Sequence, residues 1–297
     1  MPLERVASLD VLRGAAALTV AVSHFFVHRG ISSTEAEAVS ATAVEIFFVL
    51  SGFVLAPQLI FCAEKHSARL FRIFLVRRWM RTIPSYLVAL GAMVIVANPV
   101  IAADVVRYGI YLQNFAWQAN TNDFFPVAWS LSVEEWFYVG FAGFLLVATR
   151  ARIREGHRTV MILAVAMVIA ITITRFAFGD LTHWGAEVRR VTLWRIDAIT
   201  YGVLLYGFSS VVHLHLPAIG RYVSLFSSAC FVAAAWLSYN LLWYIESTNG
   251  SLAKHLFPFA AALTGSLAIV TAVQLDGVLS AVNPPSCSSQ RSSARLK

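Results

Sequence analysis

LDVLRGAAALTVAVSHFFV, residues 9–27, decides the fold, because it is apolar enough to enter a bilayer although it carries ionisable side chains. Arg13 and His24 are separated by ten residues. On an α-helix this step is three turns plus about 20°, so both side chains lie on one face, about 16 Å apart along the axis. Charges at membrane depth usually face a bundle interior or a wet cavity, which predicts a functional stripe. The alternative is that Asp10 and Arg13 snorkel at an interface and that His24 caps the other end.

The composition is that of an integral membrane protein. Of the 297 residues, 58% are hydrophobic and 13% are charged, and the mean hydropathy is +0.69. A soluble domain is about half apolar and about a quarter charged. The net charge of +7 does not indicate a nucleic-acid partner. The basic residues instead cluster in short connections between apolar spans, which is the pattern that topology selection produces.

The cysteines indicate neither a disulfide framework nor a zinc site, and we expect no metal. Cys62, Cys230 and Cys287 are odd in number and have no CxxC spacing. The first span also lacks a small-residue cleavage pattern and holds its charges inside the apolar run. It therefore predicts a retained transmembrane helix rather than a cleavable signal.

A spanning helix needs about 20 mostly apolar residues, and the chain predicts an all-α, polytopic membrane bundle of about eight transmembrane helices. Asn98 and Pro99 interrupt the third span and are expected to kink or end it. The more polar segment 104–126 is expected to lie at the interface or to re-enter the membrane, with Tyr and Trp as anchors. The predicted spans lie near 9–27, 43–61, 83–103, 128–148, 159–178, 196–214, 223–245 and 256–276.

The basic connections predict the orientation. Those between spans two and three and between spans four and five are rich in cations, so both should be cytoplasmic. This places both chain ends on the cytoplasmic side of a cell inner (plasma) membrane, and His24 toward the outside. Arg189 and Arg190 fall in a connection predicted outside and mildly violate the rule. The cations are Lys65, Arg69, Arg72, Arg77, Arg78, Arg81, Arg150, Arg152, Arg154 and Arg158.

The second span reads AVEIFFVLSGFVLAP, residues 43–57. Glu45 lies at its outer end, near the predicted level of His24. Ser51 and Gly52 are small enough to permit close helix approach. We favour packing over a nucleophilic Ser51, because no GxSxG elbow supports a serine nucleophile.

RRWMRTIPSY, residues 77–86, places Arg78 and Arg81 three positions apart, so they share a face if a helix begins here. Pro84 suits a first helical turn. Two guanidinium groups at the cytoplasmic surface could bind phosphates with forked hydrogen bonds. The competing interpretation is that they determine topology and contact lipid headgroups.

WSLSVEEWFY, residues 129–138, brings two adjacent acids into an apolar helix. Glu134 and Glu135 point about 100° apart on a helix, so at least one must face the bundle interior. It could pair with a cation or take a proton. Structural pairing is a serious alternative to catalysis.

WRIDAITYG, residues 194–202, opens the sixth span with Arg195 and Asp197. A local or interhelical ion pair is the default interpretation. A polar lining to a substrate cavity is the more specific one.

Together these motifs resemble the membrane-bound acyltransferase-3 family, which includes bacterial O-acetyltransferases of surface polysaccharides, nodulation factors and macrolides. The matching stretches are LDVLRG followed by His24, then VEIFFVLSGF, RRWMRTIPSY, WSLSVEEWFY and RIDAITYG, and they cover most of 7–205. Each is weak alone, but the ordered set is specific. The resemblance implies a cytoplasmic acyl-CoA donor, acetyl-CoA by default, and an acceptor hydroxyl on a sugar or glycan at or beyond the membrane.

The resemblance also implies site residues. Arg13 and His24 correspond to the family's essential Arg-x10-His signature. Arg78 and Arg81 correspond to its RxxR element, which is associated with the CoA end. We therefore predict Arg78 and Arg81 to bind the donor.

Two acids complete the predicted site. Glu45 stands where the family often has Asp, and Glu134 matches an acid that the family generally carries. Trp136 replaces a common Gln. The predicted catalytic residues are His24, Arg13, Glu45 and Glu134.

The expected mechanism begins with neutral His24, which removes the proton from the acceptor hydroxyl. The oxygen then attacks the thioester carbonyl directly, and CoA leaves. Glu45 or Glu134 is expected to orient the imidazole. Arg13 is expected to stabilise phosphate or developing negative charge.

The end of the chain departs from the family, whose members usually have further core helices and a late SY-x-x-Y-L-x-x-H stretch. We expect a transmembrane domain over 1–282 without its C-terminal helices, then a polar, disordered tail over 283–297. Such a truncated chain is expected to fold poorly or to need a partner. Two other functions stay open: an inactive remnant, and a secondary transporter or exporter of a small acidic solute. The acceptor, the acyl chain length and the oligomeric state do not follow from the sequence.

Overall fold

The computed structural model describes residues 6–29, 34–97, 102–116, 124–150, 155–178, 188–212, 220–248 and 251–282. Within these ranges the chain is helical and has no strand, which confirms the predicted all-α class. The predictions for Asn98, Pro99, Arg152, Arg154, Cys287 and the tail 283–297 lie outside the described residues. The helices are α1 (Ala7–His28), α2 (Thr34–Glu64), α3 (Ala68–Ala97), α4 (Ala102–Gly109), α5 (Trp129–Arg150), α6 (Gly156–Phe178), α7 (Thr192–Val212), α8 (Gly220–Thr248) and α9 (Ser251–Val282), with a 3₁₀ turn at Pro126–Ala128.

Seven helices in the described ranges are long and apolar enough to cross a membrane, so the chain is a multi-pass membrane protein. The predicted span near 196–214 corresponds to α7, which is 21 residues long. Helix α7 carries Arg195 and Asp197 close to its start and is not among the seven.

Helix α3 differs most from the predicted boundaries. We expected a span from 83, but α3 begins at Ala68, so the arginines up to Arg81 lie on a helix rather than in a loop. The placement of Pro84 in a first helical turn is therefore wrong, since Pro84 lies inside α3. Arginine has good helix propensity, and its aliphatic stem can lie along apolar surface while the charge reaches a polar region.

Helices α2 and α7 cross with their backbones in close contact. A Cβ atom added at Gly52 would overlap the carbonyl oxygen of Ile199, and one added at Gly202 would overlap that of Val49. Lipid tails are as apolar as leucine, so helices in a membrane associate through packing and hydrogen bonds, and small residues permit the closest approach. The predicted packing role of Gly52 is confirmed.

Residues 110–116 fold back into the bundle. The Tyr111 ring stacks on Tyr86 with centroids 4.6 Å apart, and Tyr86 lies near the middle of α3. The Tyr86 hydroxyl donates to the Tyr108 carbonyl at 2.9 Å, and Trp136 Nε1 donates to the Tyr111 carbonyl at 2.9 Å. Non-helical backbone at membrane depth is tolerated where protein buries it. Tyr111, Gln113 and Asn114 are buried in this way, whereas residues 117–123 lie outside the described residues, and the interfacial or re-entrant position of 104–126 stays a prediction.

The same segment fixes the start of α7. The first N–H groups of a helix have no intrahelical partner. Here the Thr192 N–H donates to the Asn114 carbonyl at 2.8 Å, and the Leu193 N–H donates to the Phe115 carbonyl at 3.0 Å. Helix α7 can therefore begin inside the bundle with its N-terminus satisfied.

Candidate active site

A cavity of about 400 Å³ lies between α1, α2, α3 and α5, and we call it the outer cavity after the orientation that the sequence predicts. Most of its wall is apolar, with Ala17, Val20, Val44 and Phe47 among the lining residues. Charged and hydroxyl side chains from all four helices interrupt this wall. They are Arg13, Ser51, Arg78, Arg81, Thr82, Ser85, Ser130, Glu134 and Tyr138.

A second cavity of about 720 Å³, the inner cavity, lies between α2 and α3 toward the turn that joins them. It shares Val54, Arg78 and Arg81 with the outer cavity, so the two cavities meet at the arginine pair. Arg77 adds a third guanidinium, and no carboxylate lies among the described residues that line the inner cavity. The inner cavity is therefore suited to an anion.

The two cavities together form what we call the conduit. Along α2 the conduit extends from Cys62 to Val44. These residues are eighteen positions apart, which is about 27 Å at 1.5 Å per residue. The hydrocarbon core of a bilayer is about 30 Å thick. The conduit is therefore nearly as long as this hydrocarbon core is thick.

Glu134 is held within the outer cavity by two hydroxyl groups. Ser51 Oγ donates to Oε1 at 2.8 Å, and the Tyr138 hydroxyl donates to Oε2 at 3.0 Å. The sequence did not predict either partner. Tyr138 follows Glu134 by four residues, and this helical spacing could have indicated it. Ser51 lies 83 residues away in the sequence, so only the folded structure brings it to Glu134.

His24 stands just beyond the outer end of the conduit. Val20 and Val44 line that end. His24 follows Val20 by one helical turn and Ser40 precedes Val44 by one turn, a step of about 5.4 Å in each case. The imidazole is exposed, and its Nδ1 lies 2.8 Å from the Val20 carbonyl oxygen and 3.4 Å from Ser40 Oγ.

These contacts define the tautomer of His24. A carbonyl oxygen only accepts hydrogen bonds, so Nδ1 must carry the hydrogen that points at Val20. In a neutral imidazole this leaves the lone pair on Nε2. The side chain is therefore arranged to accept a proton through Nε2.

Neither predicted carboxylate contacts this imidazole. Glu45 pairs with Arg195 across the α2–α7 interface and does not line the outer cavity. Ser51, which holds Glu134, lies eleven residues from Ser40, or about 16 Å along α2. The orienting contacts predicted for Glu45 or Glu134 are made instead by the Val20 carbonyl and Ser40.

The charges that open α7 form interhelical ion pairs, as the default interpretation predicted. Besides the pair between Arg195 and Glu45, Asp197 pairs with Arg175 of α6 at 3.1 Å. Arg175 also donates to the Trp194 carbonyl at 2.8 Å. The four side chains are almost fully buried. They connect α2, α6 and α7 and do not line the conduit.

Glu135 is buried and does not line the outer cavity, whereas Glu134 is half-buried and lines it. The side chains of Trp79 and Thr82 on α3 lie close to the Glu135 carboxylate. Burial, with a further contribution from Glu135, raises the pKa of Tyr111 above its ordinary value. No group of three or more His, Cys, Asp or Glu side chains suited to a metal ion occurs in the described ranges.

Comparison with known proteins gives one family and one curated relative. The sequence model described as "Acyltransferase domain" matches residues 6–283. The chain is 30% identical over 160 residues to peptidoglycan O-acetyltransferase OatA of Listeria monocytogenes serovar 1/2a. This alignment covers 48% of the chain and 24% of that longer protein. No solved structure matches.

Proposed function

Because the chain belongs to the acyltransferase-3 family, we propose that it moves an acyl group, acetyl by default, from cytoplasmic acyl-CoA to a hydroxyl of a sugar or glycan. The observation that carries the proposal is the conduit, which joins an arginine-lined cavity to a point one helical turn from His24. Peptidoglycan, named for the curated relative, is the first acceptor to test.

The donor's phosphates bind in the inner cavity. Arg77, Arg78 and Arg81 line it, and a guanidinium group forms forked, charge-assisted hydrogen bonds with phosphate. The Arg78 guanidinium carbon lies 6.0 Å from the centroid of the Phe74 ring, which helps to orient the side chain. Arg78 and Arg81 are the proposed donor-binding residues. Their positive charge suits the negatively charged phosphates of acyl-CoA, the proposed co-substrate.

The pantetheine arm, which is uncharged and thin, passes through the outer cavity. Ala17, Val20 and Val44 offer it apolar contact. Arg13 lines this cavity as well and lies about 16 Å from His24 along α1. Two roles were expected for Arg13. This distance favours stabilisation of the donor's phosphate charge over stabilisation of an oxyanion at His24.

Transfer takes place at the outer end of the conduit. His24 Nε2 accepts the proton of the acceptor hydroxyl, and the oxygen attacks the thioester carbonyl. The carbon–sulfur bond breaks, and the proton passes from the imidazolium to the departing thiolate. Ser40 and the Val20 carbonyl keep the imidazole in the required tautomer. Glu45 has a structural role, because it forms an ion pair with Arg195.

We propose that the chain lies in the inner (plasma) membrane with its N-terminus in the cytoplasm. The turn between α2 and α3, next to the inner cavity, carries Lys65, and Arg69 and Arg72 follow on the first turns of α3. Cytoplasmic connections are enriched in such residues. This orientation opens the inner cavity to cytoplasmic acyl-CoA and turns His24 outward.

The test uses the full chain in proteoliposomes with radiolabelled acetyl-CoA and tetra-N-acetylglucosamine, a soluble analogue of the peptidoglycan glycan. We expect release of CoA and labelling of the oligosaccharide. His24→Ala should abolish both while membrane insertion is unchanged. Thr19→Ala is the matched control, because its exposed hydroxyl donates only to the Ala15 carbonyl of its own helix.

Each result has a defined meaning. Turnover retained in His24→Ala would overturn the assignment of the base. The enzyme proposal would be overturned if the unmodified chain consumed no acetyl-CoA, either with the oligosaccharide or with peptidoglycan fragments. Flux of an acidic solute without consumption of CoA would support the transporter instead.

A further inference from the structure

Glu134 occupies an intermediate level of the conduit. Ser51, its partner on α2, lies seven residues from Val44 at one end and eleven from Cys62 at the other. Glu134 lines the outer cavity together with Arg78 and Arg81. Its carboxyl group is the one acidic group among the described residues that line the conduit.

The hydrogen bonds around Glu134 leave acceptor sites unused. A hydroxyl group has one hydrogen, and those of Ser51 and Tyr138 both point at the Glu134 side chain. The lone pairs of the two hydroxyl oxygens, and the lone pairs of Glu134 that these bonds do not occupy, can accept further hydrogen bonds.

Charged and polar groups of the neighbouring helices surround Glu134. Arg13 of α1 and Arg78 of α3 act on it electrostatically across the cavity, and the other neighbours are Ser51 of α2, Tyr138 one turn along α5 and the adjacent Glu135. The cluster of Glu134, Ser51 and Tyr138, which we call the collar, offers a ligand hydrogen-bond acceptors.

We propose that the collar recognises an amide N–H group of the donor's uncharged arm. This proposal rests on the proposed function and deepens it, because it explains how the donor is held at one depth. The phosphates stay at Arg78 and Arg81, and the arm passes the collar by donating to Glu134. Glu134 contacts the substrate, whereas Ser51 and Tyr138 are positioning residues that fix its carboxylate.

The test measures binding of pantetheine, which lacks phosphates, to the full chain in detergent by isothermal titration calorimetry. The comparison ligand is the analogue in which ester oxygens replace both amide N–H groups. A hydrogen bond from an amide N–H group to the collar is expected to make pantetheine bind about tenfold more tightly than the analogue. Glu134→Gln, which introduces a side-chain donor, should reduce this preference to less than about threefold.

The positioning residues have their own variants. Ser51→Ala and Tyr138→Phe should each weaken the preference, and Ser51→Thr, which keeps a hydroxyl, should restore it. Thr42→Ala and Tyr206→Phe are matched controls outside the conduit. The Thr42 hydroxyl donates to the Ala38 carbonyl of its own helix. Both controls should retain the full preference.

Equal binding of pantetheine and the ester analogue by the unmodified chain, or binding of neither, would overturn the collar. A preference that survives in Glu134→Gln would do the same. If the unmodified chain prefers pantetheine to the ester analogue but consumes no acetyl-CoA, the result would support the collar and reject the acyltransferase proposal. If Glu134→Gln does not fold, Ser51→Ala and Tyr138→Phe provide the test, since both leave the Glu134 side chain in place.

Discussion

The Arg195 guanidinium forms an ion pair with the Glu45 carboxylate across the α2–α7 interface, and the two side chains are only 1% and 2% exposed. Removing one partner would leave a buried, uncompensated charge, which typically costs about 3–5 kcal/mol. We therefore expect Glu45→Leu and Arg195→Leu each to lower the unfolding free energy in detergent by about this amount.

The double variant is expected to recover much of the loss, because an apolar pair of similar volume can replace a buried ion pair. Arg107→Ala is the control, since its pair with Asp104 at 3.3 Å is exposed and should contribute less than about 1 kcal/mol. Strictly additive losses in the double variant would contradict the pairing.

Close backbone contact between α2 and α7 gives a second prediction. Gly52→Ala places a Cβ against the Ile199 carbonyl, so the helices must move apart at a cost of about 1–3 kcal/mol. Gly140→Ala meets nothing within 4 Å and should change stability by less than about 1 kcal/mol. Thermal unfolding in detergent compares the two, and similar melting temperatures would refute the close crossing.

Two stacked tyrosines should respond differently to loss of a hydroxyl. Tyr86→Phe removes the bond to the Tyr108 carbonyl and should cost about 1 kcal/mol. The buried Tyr111 hydroxyl has no hydrogen-bond partner among the described residues, so Tyr111→Phe should be neutral or stabilising. The same unfolding assay applies, and a larger loss from Tyr111→Phe would show that its hydroxyl is bonded.

The donor site predicts a kinetic difference between arginines of one helix. Arg78→Ala removes a guanidinium from both cavities and should raise the apparent KM for acetyl-CoA about tenfold or more. Arg72→Ala removes the same charge from an exposed position outside the cavity linings. Initial rates across acetyl-CoA concentrations measure both, and equal effects would indicate general charge rather than a binding site.

The conduit itself can be blocked. Ala17 lines the outer cavity, so Ala17→Trp should obstruct the arm and lower kcat by about 100-fold, as misplacement of a reacting group does. Ala15 is exposed and lies outside the cavity lining, which makes Ala15→Trp the control. Turnover assays of the two variants after equal membrane insertion provide the comparison, and full activity in Ala17→Trp would argue for another donor path.

The sequence predicted the features that depend on a single helix. Apolar length located the spans, and the spacing of Arg13 and His24 predicted a common stripe, of which Arg13 lines the outer cavity. The start of α3 differs from the predicted one because a run of arginines resembles a polar connection in the sequence, although arginines are compatible with a helix.

Contacts between distant segments could not be predicted in this way. The hydrogen bond from Ser51 to Glu134 and the ion pair of Glu45 with Arg195 depend on how the helices are arranged. A single sequence gives the period of each helix but not its neighbours. For the same reason Glu45 was assigned to His24, which lies at a similar predicted level, rather than to α7.

The exposure of His24 close to the end of α1 has a consequence for the proposed reaction. There a slender arm would cross most of the thickness of the lipid, while the glycan that receives the acyl group would stay in water. Removing the hydration of a glycan would cost far more than inserting an apolar arm, so this arrangement would admit glycans of widely different size.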